Sequence, residues 1–508
     1  MSRRSVLIPF LSLGLVLGAA APALASPTAG VTNGGFETGL SGWSAGGSRD
    51  ASFIEAGGFD GDTRLTHYAP VAYRVETTQA VTGLARGPHT LSVRVRSDGN
   101  QPDAYVSLRH CGSAERRAAI PRTGDRWVRL AVSVTVTGGR CTIVLHSTAT
   151  AGQWTHFDAV SFGPGAAPGI AVRGADVSHI TKNEDHGAVY RDFPGPRRDP
   201  FRLLAAHDVN LIRLKVWVDP ADGYNDLADT LAKARRAHAA GQRLLIDFHY
   251  SDAWADPGKQ NKPAAWASLS FAELSQALYD HTFTVLAALR AQRTPAAYAQ
   301  VGNEINGGML WPDGRWDNWG GLAALLTAGS AAVKAASPST QVVLHLAEGG
   351  DNGGHRWWFD QAVARGVPFD VIAVSHYVYW HGPLGALQAN LMDLTARYGK
   401  PVMVVETAYG FTLDENDHET NIFTAALAAA GGYPATPRGQ ADALRDILTV
   451  VAGVPGALGV VYWEPTWTAV PGAGWDPADP ASGDGWENQA LFDDDGRALP
   501  ALKVFTHF

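Results

Sequence analysis

Cysteine, methionine and surplus positive charge are scarce in this chain. It holds two cysteines and four methionines among 508 residues. Its 41 Lys and Arg are outnumbered by 49 Asp and Glu, for a formal charge of −8. That balance argues against nucleic acid or an anionic membrane surface as a partner, because both reward clustered basic residues. No H-E-x-x-H motif and no Cys/His cluster occurs, so transition-metal chemistry is not indicated. No P-loop or Rossmann glycine motif follows an apolar run, so no organic cofactor is expected. Beyond the N-terminus, no apolar run reaches the roughly 20 residues of a membrane span.

What the chain does have is an export signal and enough length for a barrel and a smaller module. Arg3 and Arg4 precede an apolar run that ends in Ala23-Leu24-Ala25, the small-residue pattern of a leader cut after Ala25. Residues 1–25 are therefore expected to be a signal peptide and the mature protein to be secreted. Ser2-Arg3-Arg4 also suits the twin-arginine route. Losing Arg3 and Arg4 takes the formal charge from −8 to −10. Export permits oxidation, so Cys111 and Cys141 are expected to form a disulfide, with two buried thiols as the alternative.

Two regions carry different rhythms. Residues 31–163 alternate apolar and polar in segments such as HTLSVRVRS (89–97) and WVRLAVSVTV (127–136), which predicts an all-β sandwich. GPGAAPG (163–169) has no periodicity; its residues 164–169 are read as a linker between two units. From residue 170 to 508, eight short apolar runs recur with helical patterns between them, from IAVRGADVS (170–178) to LGVVYWEP (458–465). That predicts an α/β fold, a (β/α)₈ TIM barrel preceded by the sandwich. Active faces of such barrels lie at the C-terminal strand ends. Chemistry is therefore expected at Asp176, Arg213, His249, Asn303-Glu304, His376-Tyr377, Glu406 and Trp463-Glu464.

Glu304 ends the fourth run and Glu406 the seventh. Two carboxyl groups across one cleft are what glycoside hydrolysis needs. One protonates the leaving oxygen; in a retaining enzyme the other attacks the anomeric carbon from about 5–5.5 Å away. A structural alternative pairs each Glu with a rim Arg or Lys.

The motifs around these residues resemble a known family. Asn303-Glu304 and Glu406 are similar to the acid/base and nucleophile of the large (β/α)₈ glycosidase clan. RGADVS (173–178), IDFHYSDAWADPGKQNKPAAW (246–266), VGNEINGGMLWP (301–312), VVETAYGF (404–411) and GWENQALFD (485–493) resemble glycoside hydrolase family 53, the endo-β-1,4-galactanases. The resemblance implies a retaining endo-hydrolase of β-1,4-galactan, the polysaccharide partner, with Glu304 as acid/base and Glu406 as nucleophile. Glu304 must then start protonated and Glu406 ionised. Arg213 is the expected cation beside Glu406, and Tyr377 the expected donor to it. Asn303 is expected at a sugar hydroxyl and Trp463 at a sugar face. Asp176, His249, Trp254 and His376 serve neighbouring hydroxyls and subsites, or, for Asp176 and His249, structural hydrogen bonds. The enzyme is expected to act as a monomer.

LDENDHETN (413–421) resembles the calcium-holding loop of bacterial galactanases, which makes Asp414, Asp417, His418 and Asn421 candidate ligands of a structural calcium. A solvated acidic loop is the alternative. The opening NGGFETGLSGWS (33–44) and closing HFDAVSF (156–162) look like jelly-roll carbohydrate-binding modules. Tyr68, Tyr73, Tyr105, Trp127 and Trp154 are that module's candidate sugar platforms. Rival readings are an endo-glycanase acting on β-1,4-glucan, mannan or xylan, and a non-catalytic glycan-binding protein.

Overall fold

In the segment 128–136, Val128, Leu130, Val132, Val134 and Val136 are buried while the residues between them are not. That two-residue period puts one face of a strand against a core. It recurs in β4 and β5 among the ten strands of the N-terminal module: β1 (Ser44–Gly47), β2 (Ser52–Ala56), β3 (Thr63–Tyr68), β4 (Tyr73–Thr82), β5 (Gly87–Ser97), β6 (Asp103–Arg109), β7 (Arg116–Ala119), β8 (Val128–Val136), β9 (Arg140–Ala149) and β10 (Trp154–Pro164). They form two antiparallel five-stranded sheets, β1-β4-β9-β6-β7 and β2-β3-β10-β5-β8. A disulfide joins Cys111 to Cys141. The structure, a computed structural model, describes residues 30–167 and 169–508. The expected leader, 1–25, lies outside the described residues.

Eight parallel strands then close a barrel: β11 (Val172–Asp176), β12 (Leu211–Val216), β13 (Arg243–Phe248), β14 (Tyr298–Val301), and, after a small hairpin of β15 (Gly308–Met309) and β16 (Gly314–Arg315), β17 (Gln341–Leu346), β18 (Val371–Ser375), β19 (Val402–Glu406) and β20 (Ala457–Trp463). Helices α1 (Ile180–Asp185), α2 (Pro200–Ala206), α3 (Leu227–Ala239), α4 (Phe271–Ala291), α5 (Trp319–Ala336), α6 (Asn352–Ala364), α7 (Leu384–Tyr398), α8 (Ala425–Gly431) and α9 (Pro437–Ala452) fill the connections. Several begin on capping side chains: Asp226 on α3, Asp351 on α6, and Ser270 with Glu273 as a reciprocal box on α4. Each of the eight predicted apolar runs supplies one barrel strand. No helix among the described residues is long and apolar enough to cross a membrane.

The barrel lumen changes character along its axis. Its lower layer is a cluster that includes Val172, Leu211, Leu245, Tyr298, Val343, Val371, Met403 and Val461. Two residues further along the same strands come Arg213, Asp247, Gln300 and His345. Because i and i+2 share a strand face, these polar groups stand directly above an apolar floor. On β19 the pairing with β18 slips by one residue, so that Glu406 lies opposite Ser375. Such irregularities re-aim side chains at barrel rims.

The module is fastened to the barrel. Residues 165–167, expected as loose linker, are pinned to the sandwich: the Thr90 hydroxyl donates to Gly165 O at 2.8 Å and Ala167 N to Ser133 Oγ at 2.7 Å. Gln388 of α7 accepts from Arg129 N at 2.5 Å and donates to Arg129 O at 2.9 Å. Arg129 also donates to Gly453 O at 2.9 Å, and Arg122 N to the buried Asp446 carboxylate at 3.2 Å.

Candidate active site

A cavity of about 400 Å³ opens at the C-terminal ends of the strands. Glu304, Glu406, Arg213, Asn303, His249, Trp254, Tyr377 and Trp463 all line it. Lys215, Glu348, Trp380, His381 and Trp486 line it too and are not reached by the sequence reading. A second cavity of about 440 Å³ shares Trp254, Trp463 and Trp486 with the first and adds Trp467 and Trp475. The cleft thus continues along a wall of indoles, which suits the apolar faces of sugar rings.

Glu406 is held from two sides. Arg213 reaches its Oε1 at 2.8 Å, and the Tyr377 hydroxyl donates to its Oε2 at 3.1 Å. Arg213 is itself 1% exposed and braced by Asp176 and Asp247, each at 2.8 Å. Burial alone would lower the arginine's pKa, but Asp247, Glu406 and Asp176 hold it well up. Burial raises both cleft glutamates. For Glu406, Arg213 and, less strongly, Tyr377 work against that rise, while the Asp247 and Asp176 charges add to it. For Glu304, the Glu406 charge adds to it. The shared proton therefore belongs on Glu304 and the charge on Glu406.

Two of the predicted contacts lie elsewhere. Asp176 is buried beneath the cavity, accepting from Arg213 and from the Ser178 amide and hydroxyl. His376 is fully buried and does not line the cavity. Ser375 and Tyr377 face inward, so alternation turns His376 away from the lumen. Burial pushes its pKa down to about 3, which keeps the ring neutral. His249 lines the cavity, yet both ring nitrogens are engaged. Nε2 lies 3.0 Å from Asp247, and Nδ1 accepts from Trp217 and from the Ala255 amide. Trp254 gives its indole N–H to Trp475 O at 2.9 Å and leaves only ring surface to a ligand. Beneath it, Lys215 Nζ sits 3.9 Å from the ring centroid. Burial pulls that lysine down to about 8, against the pull of Glu464 and Asp176.

The acidic loop after β19 does not gather its four candidate ligands. Asp414 and His418 are exposed. Asp417 accepts from the amides of Glu419 and Asp484, both at 2.7 Å. Asn421 donates to Glu487 at 3.2 Å. Among the described residues, no group of three or more His, Cys, Asp or Glu side chains is arranged to hold a metal. Instead, Asn421 Oδ1, Asp484 Oδ2 and Glu487 Oε2 are buried without a hydrogen-bond partner. Burial raises Asp484, and the neighbouring Glu487 and Asp417 charges raise it further. Such uncompensated oxygens fit a hard cation better than the exposed pair does.

In the sandwich, Tyr73 and Tyr105 are core residues, while Tyr68 is exposed and Trp127 and Trp154 are half-buried.

A closed (β/α)₈ barrel with two carboxyl groups in one tryptophan-walled cleft is the arrangement of a glycoside hydrolase. Residues 172–505 match the model of glycosyl hydrolase family 53, and the chain belongs to that family. An endo-beta-1,4-galactanase of Bacillus subtilis is 36% identical over 375 residues, which cover 66% of this chain and 85% of that protein. An arabinogalactan endo-beta-1,4-galactanase of Cellvibrio japonicus is 40% identical over 347 residues, 65% of this chain and 89% of that one. Among solved structures, the family 53 catalytic domain of Ignisphaera aggregans is 43% identical with a TM-score of 0.64. It matches 67% of this chain and 97% of its own.

Proposed function

We propose that this enzyme hydrolyses internal β-1,4-galactosidic bonds in galactan and type I arabinogalactan, the side chains of pectin, with retention of configuration. The observation that carries the reading is the asymmetry of the two carboxyls. Glu406 is clamped by Arg213 and Tyr377 as an anion, and Glu304 is left with the proton. Glu304 protonates the glycosidic oxygen as Glu406 attacks the anomeric carbon. Glu304, now ionised, then draws a proton from the water that releases the sugar. The names of the relatives support galactan as the substrate. The leader-like N-terminus supports secretion.

Incubation with purified β-1,4-linked galactan, glucan, mannan and xylan tests the substrate. Galactan alone should yield short oligosaccharides, and NMR should find the β anomer first. An α first product would mean inversion, and preference for another glycan would replace galactan. Glu406→Gln should bind galactan in gel retardation while its kcat falls by at least about three orders of magnitude.

A structural calcium joining the loops at 413–421 and 484–489 is part of the same reading. Its support is the set of partnerless buried oxygens on Asn421, Asp484 and Glu487, with Asp417 beside them. We also read the sandwich as the part of the enzyme that holds it on polysaccharide.

A further inference from the structure

Each sheet of the sandwich has a face turned away from the shared core, and the two faces differ. On the first sheet, Arg109 pairs with Glu76 at 2.5 Å and Arg117 with Glu115 at 2.8 Å, while His146 lies 3.3 Å from Glu76. Such a face is complete in itself. On the second sheet, register sets Arg96 opposite His156 and Arg94 opposite Asp158 across β5 and β10, and Trp154 opposite Tyr68 across β10 and β3. Alternation brings these side chains to one face, because Val93, Val95 and Phe157 between them are core.

Neither Arg94 nor Arg96 meets a carboxylate among the described residues, and Arg96 Nε is buried without a partner. The acids nearby are spent. Asp158 accepts from the amides of Phe59, Asp60 and Ala159 at 2.5, 3.1 and 2.6 Å. Glu55 takes Arg64 at 3.4 Å and the Thr66 hydroxyl at 2.7 Å. What surrounds the two guanidiniums is aromatic. Arg96 Cζ lies 5.9 Å from the Trp127 ring centroid and 5.5 Å from that of Trp154; Arg94 Cζ lies 4.3 Å from that of Phe59. Burial pulls both arginines down, and the Arg129 charge near Arg94 and the Arg64 charge near Arg96 add to that pull. Half-buried cations without counter-charges are costly, and an anion laid on this face would remove the cost.

One histidine says more about that anion. Thr66 gives its only hydroxyl proton to Glu55, so its 2.9 Å contact with His156 Nδ1 is donated by the ring. Burial, with the Arg64 and Arg96 charges, pushes His156 down to about 3 and keeps the ring neutral. Nδ1 therefore carries the hydrogen and Nε2 is an acceptor. A ligand that suits the face needs a carboxylate for the arginines, a hydroxyl for His156 and a ring face for the indoles.

We propose that this face binds the uronic acid units of an acidic polysaccharide, with Arg94 and Arg96 on the carboxylates and Trp127 and Trp154 against the sugar rings. The inference rests on reading the sandwich as the part that holds the enzyme on polysaccharide. It makes the anchor acidic where the cleft's substrate is neutral, so the enzyme stays on a charged chain while it cuts neutral branches.

Calorimetric titration of the full chain carrying Glu406→Gln, which leaves galactan uncut, tests this with polygalacturonate, β-1,4-galactan and dextran sulfate. Polygalacturonate should bind, and dextran sulfate, which offers charge without a carboxylate, should bind far less. Adding Arg96→Gln should weaken polygalacturonate binding at least about tenfold, and Arg94→Gln should act in the same direction. If Arg96→Gln folds poorly, Trp154→Ala carries the test and should also weaken binding. Polygalacturonate affinity unmoved by these substitutions, or equal affinity for dextran sulfate, overturns the proposal. Should polygalacturonate fail to bind while Trp154→Ala lowers galactan affinity, only the acidic ligand falls and the sandwich remains an anchor. Should neither glycan's affinity respond to Trp154→Ala or to the arginine variants, the anchoring role of this face falls with it.

Discussion

Glu304 has φ 47° and ψ 53°, the left-handed region that costs a non-glycine residue about 1–3 kcal/mol. The barrel sustains that strain because the flanking backbone is pinned, with the Glu304 amide on His345 and the Asn303 side chain on Ala255 O. The bend turns the carboxyl from the strand direction toward Glu406. Across the cleft, Tyr377 donates to Glu406 and so favours its ionised form. Removing that donor in Tyr377→Phe should raise the Glu406 pKa. Activity is lost as pH falls through that value, so the acidic limb of kcat/KM should move to higher pH, by up to about one unit. The alkaline limb should hold its place. A profile unchanged on the acidic side would mean that the 3.1 Å contact carries no weight in solution. Reading strand ends finds Glu304, Glu406, Arg213 and Tyr377, since polar residues there interrupt aliphatic runs. It misses Asp247, Gln300, His345 and Ser375 because they lie one step deeper. In sequence each is a single polar letter inside a run that reads as core, and only closure of the barrel makes them neighbours.

At the level of elements, the eight runs were legible because each is a short aliphatic stretch bounded by turn residues or a helical pattern. Which way a strand-end side chain points was less so. Alternation counted from Tyr377 places His376 outward, yet nothing in the one-dimensional run says which parity faces the lumen. The slip between β18 and β19 shows that parity is not even constant along a strand. The loop at 413–421 failed for another reason. A cation there would need oxygens from the second loop, 484–489, some 60 residues further on, where Asp484 and Glu487 are buried while Asp414 and His418 are exposed. Calcium bound between the two loops, as proposed, would favour the native state by mass action. A chelator should therefore lower the melting temperature and added calcium restore it. Asp484→Asn should abolish that calcium response, while Asp414→Asn should leave it. The opposite ranking of these two variants would return the site to the loop at 413–421 alone.

For the molecule as a whole, the decisive question is whether the sandwich is tethered or built in. A Gly/Pro/Ala linker suggests a tether, but composition cannot reveal what the flanking faces do. The faces are complementary. Gly385 opens α7, where a Cβ would come within 2.5 Å of Arg126 Cβ. Gly453 caps α9 with φ −74° and ψ −9°, a conformation any residue adopts. Its glycine is needed for another reason: a Cβ there would stand 2.0 Å from the carbonyl oxygen of Arg129 in the sandwich. This makes Gly453→Ala a test with opposite signs in two contexts. In the full chain the added methyl meets backbone, not a flexible side chain. It should push the sandwich off α9 and cost about 1–3 kcal/mol of stability. In a chain beginning at Gly169 the Arg129 carbonyl is gone, and alanine should be neutral or stabilise by up to about 1 kcal/mol through the unfolded state. Calorimetry on the four proteins reads both signs. If the sandwich is built in, the full chain should also melt in one transition, and Gly453→Ala should split it into two. Equal effects of the substitution in both chains would show that the contact is not kept in solution and that the sandwich is only tethered. A built-in sandwich holds any polysaccharide it binds at a fixed position relative to the cleft. Its removal should then slow attack on polymeric galactan and leave turnover of short oligosaccharides in place, because only a chain long enough to reach both parts gains effective concentration from the link.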